Sequence, residues 1–390
     1  MPYSTPIGTS LRVKYDQEWD LHEAKPSRAG GKLGHTRGKP SRAGGKLGRF
    51  SGTLNLMATN NPAWAHSSNS ARRAPSRRAP ASSSNSADQP SATSRPALWA
   101  AEQYQQILLP WYEQNGRDLP WRHPQITPWA IVVCEVMSQQ TPVNRVLPAW
   151  AQWMERWPTP ADLAAASPAE VLIAWDRLGY PRRALRLHEC AQVLVRDYDG
   201  ALPHTRQELL ALPGIGAYTA DAVLAFAYQQ YSVVLDTNIR RVLARWHGAA
   251  LPPPSQTVFE RERACVFVPQ DATHAAHWNA AIMEFGALVC TARDPRCKNC
   301  PVQNGCLWFQ EGKPADSYAH QRTTQKFTGT HREARGKIMA VLRSRSHVSK
   351  TQLFEHSGLS QERFESALAS LKDDGLLTAT DEVYSLPALP

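Results

Sequence analysis

From Leu98 onward apolar residues recur at intervals of three and four, with little strict alternation. That period predicts helices over Glu102–Tyr112, Thr141–Arg156, Pro168–Leu178, Arg183–Tyr198, Arg206–Leu212 and Ala217–Tyr228. Beyond residue 320 the pattern changes. A basic helix is expected over Arg332–Ser346 and a short one over Lys350–His356, then a third with Phe364, Leu368 and Leu371 on one face and Gly375 at its end. A strand-like stretch, Leu376–Leu386, follows, and this order is that of a winged helix. Ahead of Leu98 there is no such period. Residues 1–96 carry KPSRAGGKLG at Lys25–Gly34 and again at Lys39–Gly48, then an Ala/Ser/Pro/Arg stretch to Arg95. Sequence of that kind cannot bury a core, and disorder is expected.

Charge follows the same division. Residues 1–96 hold 15 Lys and Arg against 5 Asp and Glu, which equals the formal +10 of the whole chain. The remainder has 29 of each sign. The basic balance therefore describes the tail, which either touches DNA phosphates non-specifically or is an extension of little use, with Met57 as an alternative start. Residues 321–350 hold eight basic side chains against Glu333 alone, so this segment either lies on phosphate or serves as a packing appendage. No apolar leader and no run of 18 apolar residues is seen, so a cytoplasmic, nucleoid-associated chain without a membrane partner is expected.

Four of the seven cysteines, Cys290, Cys297, Cys300 and Cys306, form C-x6-C-x2-C-x5-C. Four thiolates in so short a span can wrap one metal centre, and the spacing leaves an iron–sulfur cluster and a zinc ion both open. Arg293, Arg296 and Lys298 make that loop basic, as a phosphate-contacting loop would be. Upstream, Pro213-Gly214-Ile215-Gly216 separates two helical patterns. Such a turn either grips a phosphate through bare N–H groups or is an ordinary helix corner. Asp236, between an apolar run and a new helix, is a helix cap or a catalytic carboxylate. Glu135 stands among Ile131, Val132, Val133, Val136 and Met137, an apolar setting that would keep its carboxyl protonated.

Taken in order, these segments resemble the helix–hairpin–helix DNA glycosylases, and within them the adenine DNA glycosylases (the MutY family). The hairpin reads LPGIG at Leu212–Gly216, Asp236 follows 20 residues after it, and the cysteine spacing is the one that holds a [4Fe–4S] cluster in that superfamily. Glu135–Thr141 reads EVMSQQT, Leu178–Tyr180 reads LGY, and Gly116–Arg122 reads GRDLPWR, each similar to a family segment. In bifunctional relatives a lysine fills the position of Tyr218; a tyrosine cannot form an imine, which implies a monofunctional enzyme.

The resemblance implies an all-α fold of two domains, with a small winged-helix-like domain appended. Residues 97–119 and 231–312 would form the iron–sulfur domain, 120–230 the six-helix domain and 320–390 the appendage, after a tail of 1–96. About 70 residues follow Ala319, too few for the Nudix-like β domain these enzymes commonly carry. The implied catalytic set is Glu135 as proton donor to the base, Asp236 as stabiliser or transient nucleophile, and Tyr218 and Asn238 as hydrogen-bonding partners. Gln139, Gln140, Thr141, Tyr180 and the Pro213–Gly216 turn would meet DNA, with Tyr180 wedged into the duplex. Arg117, Trp121, Arg122 and Glu284 are candidates for the base pocket. The implied partner is double-stranded DNA with a mispaired adenine, bound by a monomer. Two competing functions are a thymine or uracil mismatch glycosylase on the same scaffold, and a non-catalytic iron–sulfur DNA-binding protein.

Overall fold

The structure is a computed structural model that describes residues 97–322 and 326–388; the expectations for 1–96, including disorder and a start at Met57, lie outside them. Fifteen helices are present among the described residues. They are α1 (Ala101–Asn115), α2 (Pro128–Ser138), α3 (Val143–Arg156), α4 (Pro160–Ala164), α5 (Pro168–Trp175), α6 (Arg182–Asp197), α7 (Arg206–Ala211) and α8 (Ala217–Phe226). Then come α9 (Thr237–Trp246), α10 (Val258–Phe267), α11 (Ala272–Leu288), α12 (Leu307–Gln310), α13 (His331–Ser344), α14 (Lys350–Ser357) and α15 (Gln361–Asp373).

α2 explains the first core. Thr127 caps it, its Oγ1 accepting from the Ala130 amide at 3.2 Å, and Pro128 fills the first turn. Every residue from Trp129 to Met137 is buried. A helix that is apolar on all sides belongs in the middle of a bundle, and α3, α6 and α8 pack around it. The second core joins α1 to α9, α10 and α11. Tyr104 stacks on Trp246 with ring centroids 3.9 Å apart, and its hydroxyl donates to the Gly305 carbonyl at 2.7 Å. α9 and α11 approach closely because residue 286 lacks a side chain. A Cβ there would lie 2.8 Å from the Cβ of Asn238.

The C-terminal segment packs α13, α14 and α15 around Ile338, Phe364, Leu368 and Leu371, and its apolar core is continuous with that of the α2 bundle. It adds a small antiparallel sheet of β1 (Val348–Ser349), β2 (Thr378–Thr380) and β3 (Val383–Ser385) in the order β1-β3-β2. The strand-like stretch Leu376–Leu386 is thus a hairpin, turned at Asp381 and Glu382 with φ of 48° and 62°. Other boundaries move for local reasons. α3 starts after Pro142, which stands at its cap with extended backbone, so Thr141 is outside it. α5 stops at Trp175, since Asp176 takes a φ of 41° and leads into a single 3-10 turn. No described helix is long and apolar enough to cross a membrane.

Gly286→Ala should overpack the α9–α11 contact and cost about 1–3 kcal/mol. Chemical denaturation should show this as a lower midpoint; an unchanged midpoint would mean that α9 yields freely.

Candidate active site

Glu135 is the eighth residue of the apolar helix α2 and is 9% exposed. Tyr218, the second residue of α8, donates its hydroxyl to Glu135 Oε2 at 2.7 Å. Burial pushes the Glu135 carboxyl up to about 7; the Tyr218 hydrogen bond opposes this, and the nearby charge of Asp236 adds to it. Tyr218 in turn is held far above the usual phenol range, first by burial and then by the two carboxyls. Glu135 lines a cleft of about 630 Å³ together with Tyr112, Trp121, Arg122, His277 and Met283.

Asp236 caps α9. Its Oδ1 accepts from the Ile239 amide and its Oδ2 from Asn238 Nδ2, both at 2.6 Å. The sequence leads one to expect these donors to keep the carboxylate charged. Those donors are present, and burial opposes them, so the Asp236 pKa stands above its ordinary value. Asn238 Oδ1 accepts from Arg241 Nη2 at 2.7 Å. The same guanidinium donates to the carbonyls of Gly286 at 2.7 Å and Cys290 at 2.8 Å.

Glu284 is 1% exposed but stands behind the cleft rather than in its lining. Arg117 donates to it through Nε at 2.5 Å and Nη2 at 2.9 Å, and Arg122 through Nη2 at 2.8 Å. Burial alone would raise this carboxyl; the Arg117 hydrogen bonds and the Arg122 charge reverse that and hold it at about 2. Of the four pocket candidates, Trp121 and Arg122 therefore face the cleft, while Arg117 and Glu284 form the ion pair that anchors Arg122.

The loops flanking the cleft are tied by a residue the sequence did not single out. Arg183 Nη1 donates to the carbonyls of Val136, Met137 and Gln139, at 2.8, 3.2 and 2.5 Å. Its Nη2 reaches Thr141 Oγ1 at 3.1 Å and the carbonyls of Leu178 and Gly179 at 3.2 and 3.0 Å. One guanidinium thus joins the Gln139–Thr141 loop to the Leu178–Tyr180 loop. Both loops hold positive φ values: 55° at Gln140, 83° at Gly179 and 50° at Tyr180. The Pro213–Gly216 turn connects α7 to α8. Gly214 takes a φ of 79°, and a Cβ on it would meet the Arg186 Cβ at 3.0 Å. Gly216 caps α8 without any side-chain hydrogen bond.

Cys290, Cys297, Cys300 and Cys306 are free thiols that line one small pocket with Trp246, Phe285, Trp308 and Phe309. Arg245 Nη1 lies 3.2 Å from Cys290 Sγ and donates to the Thr291 carbonyl at 2.8 Å. Its guanidinium sits 4.7 Å from the Trp308 ring centroid. Burial pushes the Cys300 thiol up to about 12 and that of Cys306 to about 11, so thiolates there need a cation to stabilise them. Among the described residues no three His, Cys, Asp or Glu side chains are set to hold a single metal ion.

Comparison with known proteins agrees with this geometry. Residues 133–265 match the HhH-GPD superfamily of base excision DNA repair proteins. An adenine DNA glycosylase of Mycolicibacterium smegmatis is 50% identical over 275 residues, which cover 70% of this chain and 92% of that protein. One from Mycobacterium tuberculosis is 46% identical over 283 residues, 72% of this chain and 92% of that protein. The human adenine DNA glycosylase is 40% identical over 207 residues, 51% of this chain and 38% of the human one. Identity at every second residue, sustained along nearly the whole of a relative, decides membership. The chain belongs to the adenine DNA glycosylases, hydrolases of base excision repair that cut an N-glycosidic bond.

Proposed function

We propose that this enzyme removes adenine mispaired with 8-oxoguanine or guanine in duplex DNA and leaves the strand uncut. The observation that carries the reading is the state of Glu135: buried at a cleft able to admit a flipped base, bonded to a neutral hydroxyl, with a pKa of about 7. A flipped adenine costs a few kcal/mol to extrude, least at a mispair. Glu135 then donates its proton to N7 of the purine as the bond from C1′ to N9 breaks. Asp236, ionised and held by Ile239 and Asn238, stabilises the oxocarbenium-like sugar or captures it transiently, and water adds at C1′. Tyr218 has no amine, and its hydroxyl is already engaged with Glu135, so no imine to the sugar can form.

The remaining residues serve binding. The amides opening α8 behind Pro213–Gly216 suit a DNA phosphate. Gln139 and Gln140 fill the vacated stack, backed by Thr141 of the same loop, and Tyr180 inserts beside the opposing base, with Trp121 and Arg122 on the adenine. The four cysteines line one pocket and suit a [4Fe–4S] cluster in number and donor type, and their 6-2-5 spacing supports it over one zinc ion. When bound, the cluster would fix the basic loop at Arg293, Arg296 and Lys298 rather than take part in bond breaking. We assign 97–119 with 231–312 to the cluster domain, 120–230 to the six-helix domain and 320–390 to a winged-helix-like domain, in a monomer acting in the nucleoid.

Glu135→Gln and Asp236→Asn should each lower the single-turnover rate by about 10²-fold or more, with mismatch binding largely kept. The wild-type rate should fall above pH 7, as Glu135 loses the proton it donates, and fall again at acid pH, as Asp236 gains one. Tyr218→Phe removes the hydrogen bond that holds this pKa down, so its falling limb should move to higher pH. A rate that climbs through pH 7 would sink the general-acid role.

Substrate choice is checked with duplexes that differ at one pair. Adenine should be released opposite 8-oxoguanine and opposite guanine, and not opposite thymine. The product strand should break only after alkali, and borohydride should trap no covalent adduct. Faster release of thymine or uracil opposite guanine would replace the adenine reading by the mismatch one.

Purified protein should be brown, with about four irons per chain, and Cys297→Ser should lose them and weaken DNA binding. Stoichiometric zinc in iron-replete, anaerobically made protein would overturn the cluster assignment.

A further inference from the structure

The segment Asp176–Tyr180 is strained and exposed at once. Asp176, Gly179 and Tyr180 all have positive φ, and the Tyr180 ring is 42% exposed. Backbone held this way persists only where its surroundings over-determine it. Below, the surroundings are Arg183, with its carbon Cζ 5.6 Å from the Tyr180 ring centroid. Above, they come from the C-terminal segment. Arg332, at the start of α13, donates through Nη1 to the Tyr180 hydroxyl at 2.8 Å, and its Cζ lies 5.8 Å from the ring centroid. Arg332 is itself steadied by Phe327, whose ring centroid is 5.2 Å away. The tyrosine is held between two guanidiniums, one from each of two separate parts of the chain.

The C-terminal segment is fastened at the same place. Asp374, at the end of α15, accepts from Arg182 at 3.1 Å and from Arg335 at 2.6 Å, so it bridges α6 to α13. Arg343 lies 3.7 Å from Asp176, at the base of the strained segment. The two pairs that leave the C-terminal segment, Arg182–Asp374 and Arg343–Asp176, both land within four residues of Tyr180 in sequence.

We propose that Arg332 is a positioning residue for Tyr180, which orients the ring for insertion into the duplex and makes the C-terminal segment part of the lesion-reading machinery. The proposal rests on the reading of Tyr180 as the inserting residue. An exposed arginine on a DNA-binding face ordinarily touches phosphate. This one is already committed to a phenolic oxygen and a ring face. Fixing the ring before DNA arrives removes rotamer freedom that insertion would otherwise have to remove, so the effect should appear in recognition of the opposing base rather than in non-specific affinity.

The test is a double-mutant cycle on the full chain with Arg332→Ala, Tyr180→Phe and the pair. It reads the ratio of single-turnover rates for adenine opposite 8-oxoguanine and opposite guanine, with binding constants at several salt concentrations. Each single variant should lower the ratio by about 3- to 10-fold, the order expected of one hydrogen bond. The pair should be no worse than the worse single. Asp374→Asn, which loosens the docking without touching Tyr180, should lower the ratio in the same direction. Arg332→Lys should keep the salt slope but not restore the ratio. Additive losses, or an Arg332→Ala variant with an unchanged ratio and a salt slope smaller by about one, would make Arg332 a phosphate contact and overturn the proposal alone. An unaffected Tyr180→Ala variant would instead sink the insertion reading, and this proposal with it.

Discussion

A carboxyl group in the middle of an apolar helix is costly to ionise, and the site is organised around that cost at Glu135. The comparison with Glu284 shows what decides its state. Both carboxyls are buried. Glu284 hydrogen-bonds Arg117 and Arg122 and stays ionised at about 2; Glu135 hydrogen-bonds one neutral hydroxyl, feels Asp236 and, less, Arg122 only as charges, and lies at about 7. Burial is shared, so the partners separate the roles. One carboxylate becomes a permanent anion that holds Arg122 at the edge of the cleft, and the other a proton store beside it. Had α2 offered Glu135 a cation, the proton would not be available at neutral pH.

Three arginines do for the loops what hydrogen-bond ladders do for helices. Where the chain leaves helical geometry its carbonyls lose their partners. Arg183 collects the carbonyls of Val136, Met137, Gln139, Leu178 and Gly179; Arg241 collects those of Gly286 and Cys290; Arg245 collects those of Ala250 and Thr291. Each fixes two stretches distant in sequence through one planar fork. A lysine, with a single nitrogen, could not span them. The Gln139–Thr141 and Leu178–Tyr180 loops and the cysteine pocket all depend on this device, which lets them stay irregular without being loose.

That device is also what the sequence conceals. The hairpin, the four cysteines and the helices α1, α3 and α5 to α8 were legible because their signals are local: glycines at a turn, thiols at fixed intervals, apolar residues at a helical period. The cap position of Asp236 was legible for the same reason. Its raised pKa was not, because burial is supplied by packing partners far along the chain. Arg241 and Arg245 sit on α9 where a helical reading places a solvated face, yet they are 7% and 3% exposed. Nothing local marks an arginine that will turn inward to carbonyls 45 to 49 residues away. Strand β1 is two residues long and carries no alternation to detect.

Glu135 and Asp236 come from elements of different cores, so their relative placement needs a common wall, and α8 is that wall. Ala220, Val223 and Leu224 pack into the core around α2, while Ala222 and Ala225 pack into the one around α9 and α11. Asp221, between them and 2% exposed, pairs with Arg206 at the start of α7 and with Arg261 on α10, each at 2.7 Å. A buried carboxylate with two partners on different elements penalises any sliding of one core against the other, since movement would leave a charge unpaired. The same ten-residue helix carries Tyr218 in its first turn and receives the Pro213–Gly216 hairpin at its start. Tyr218, packed against the second core, donates to Glu135 on α2 of the first, so one rigid element ties the hairpin and both cores together.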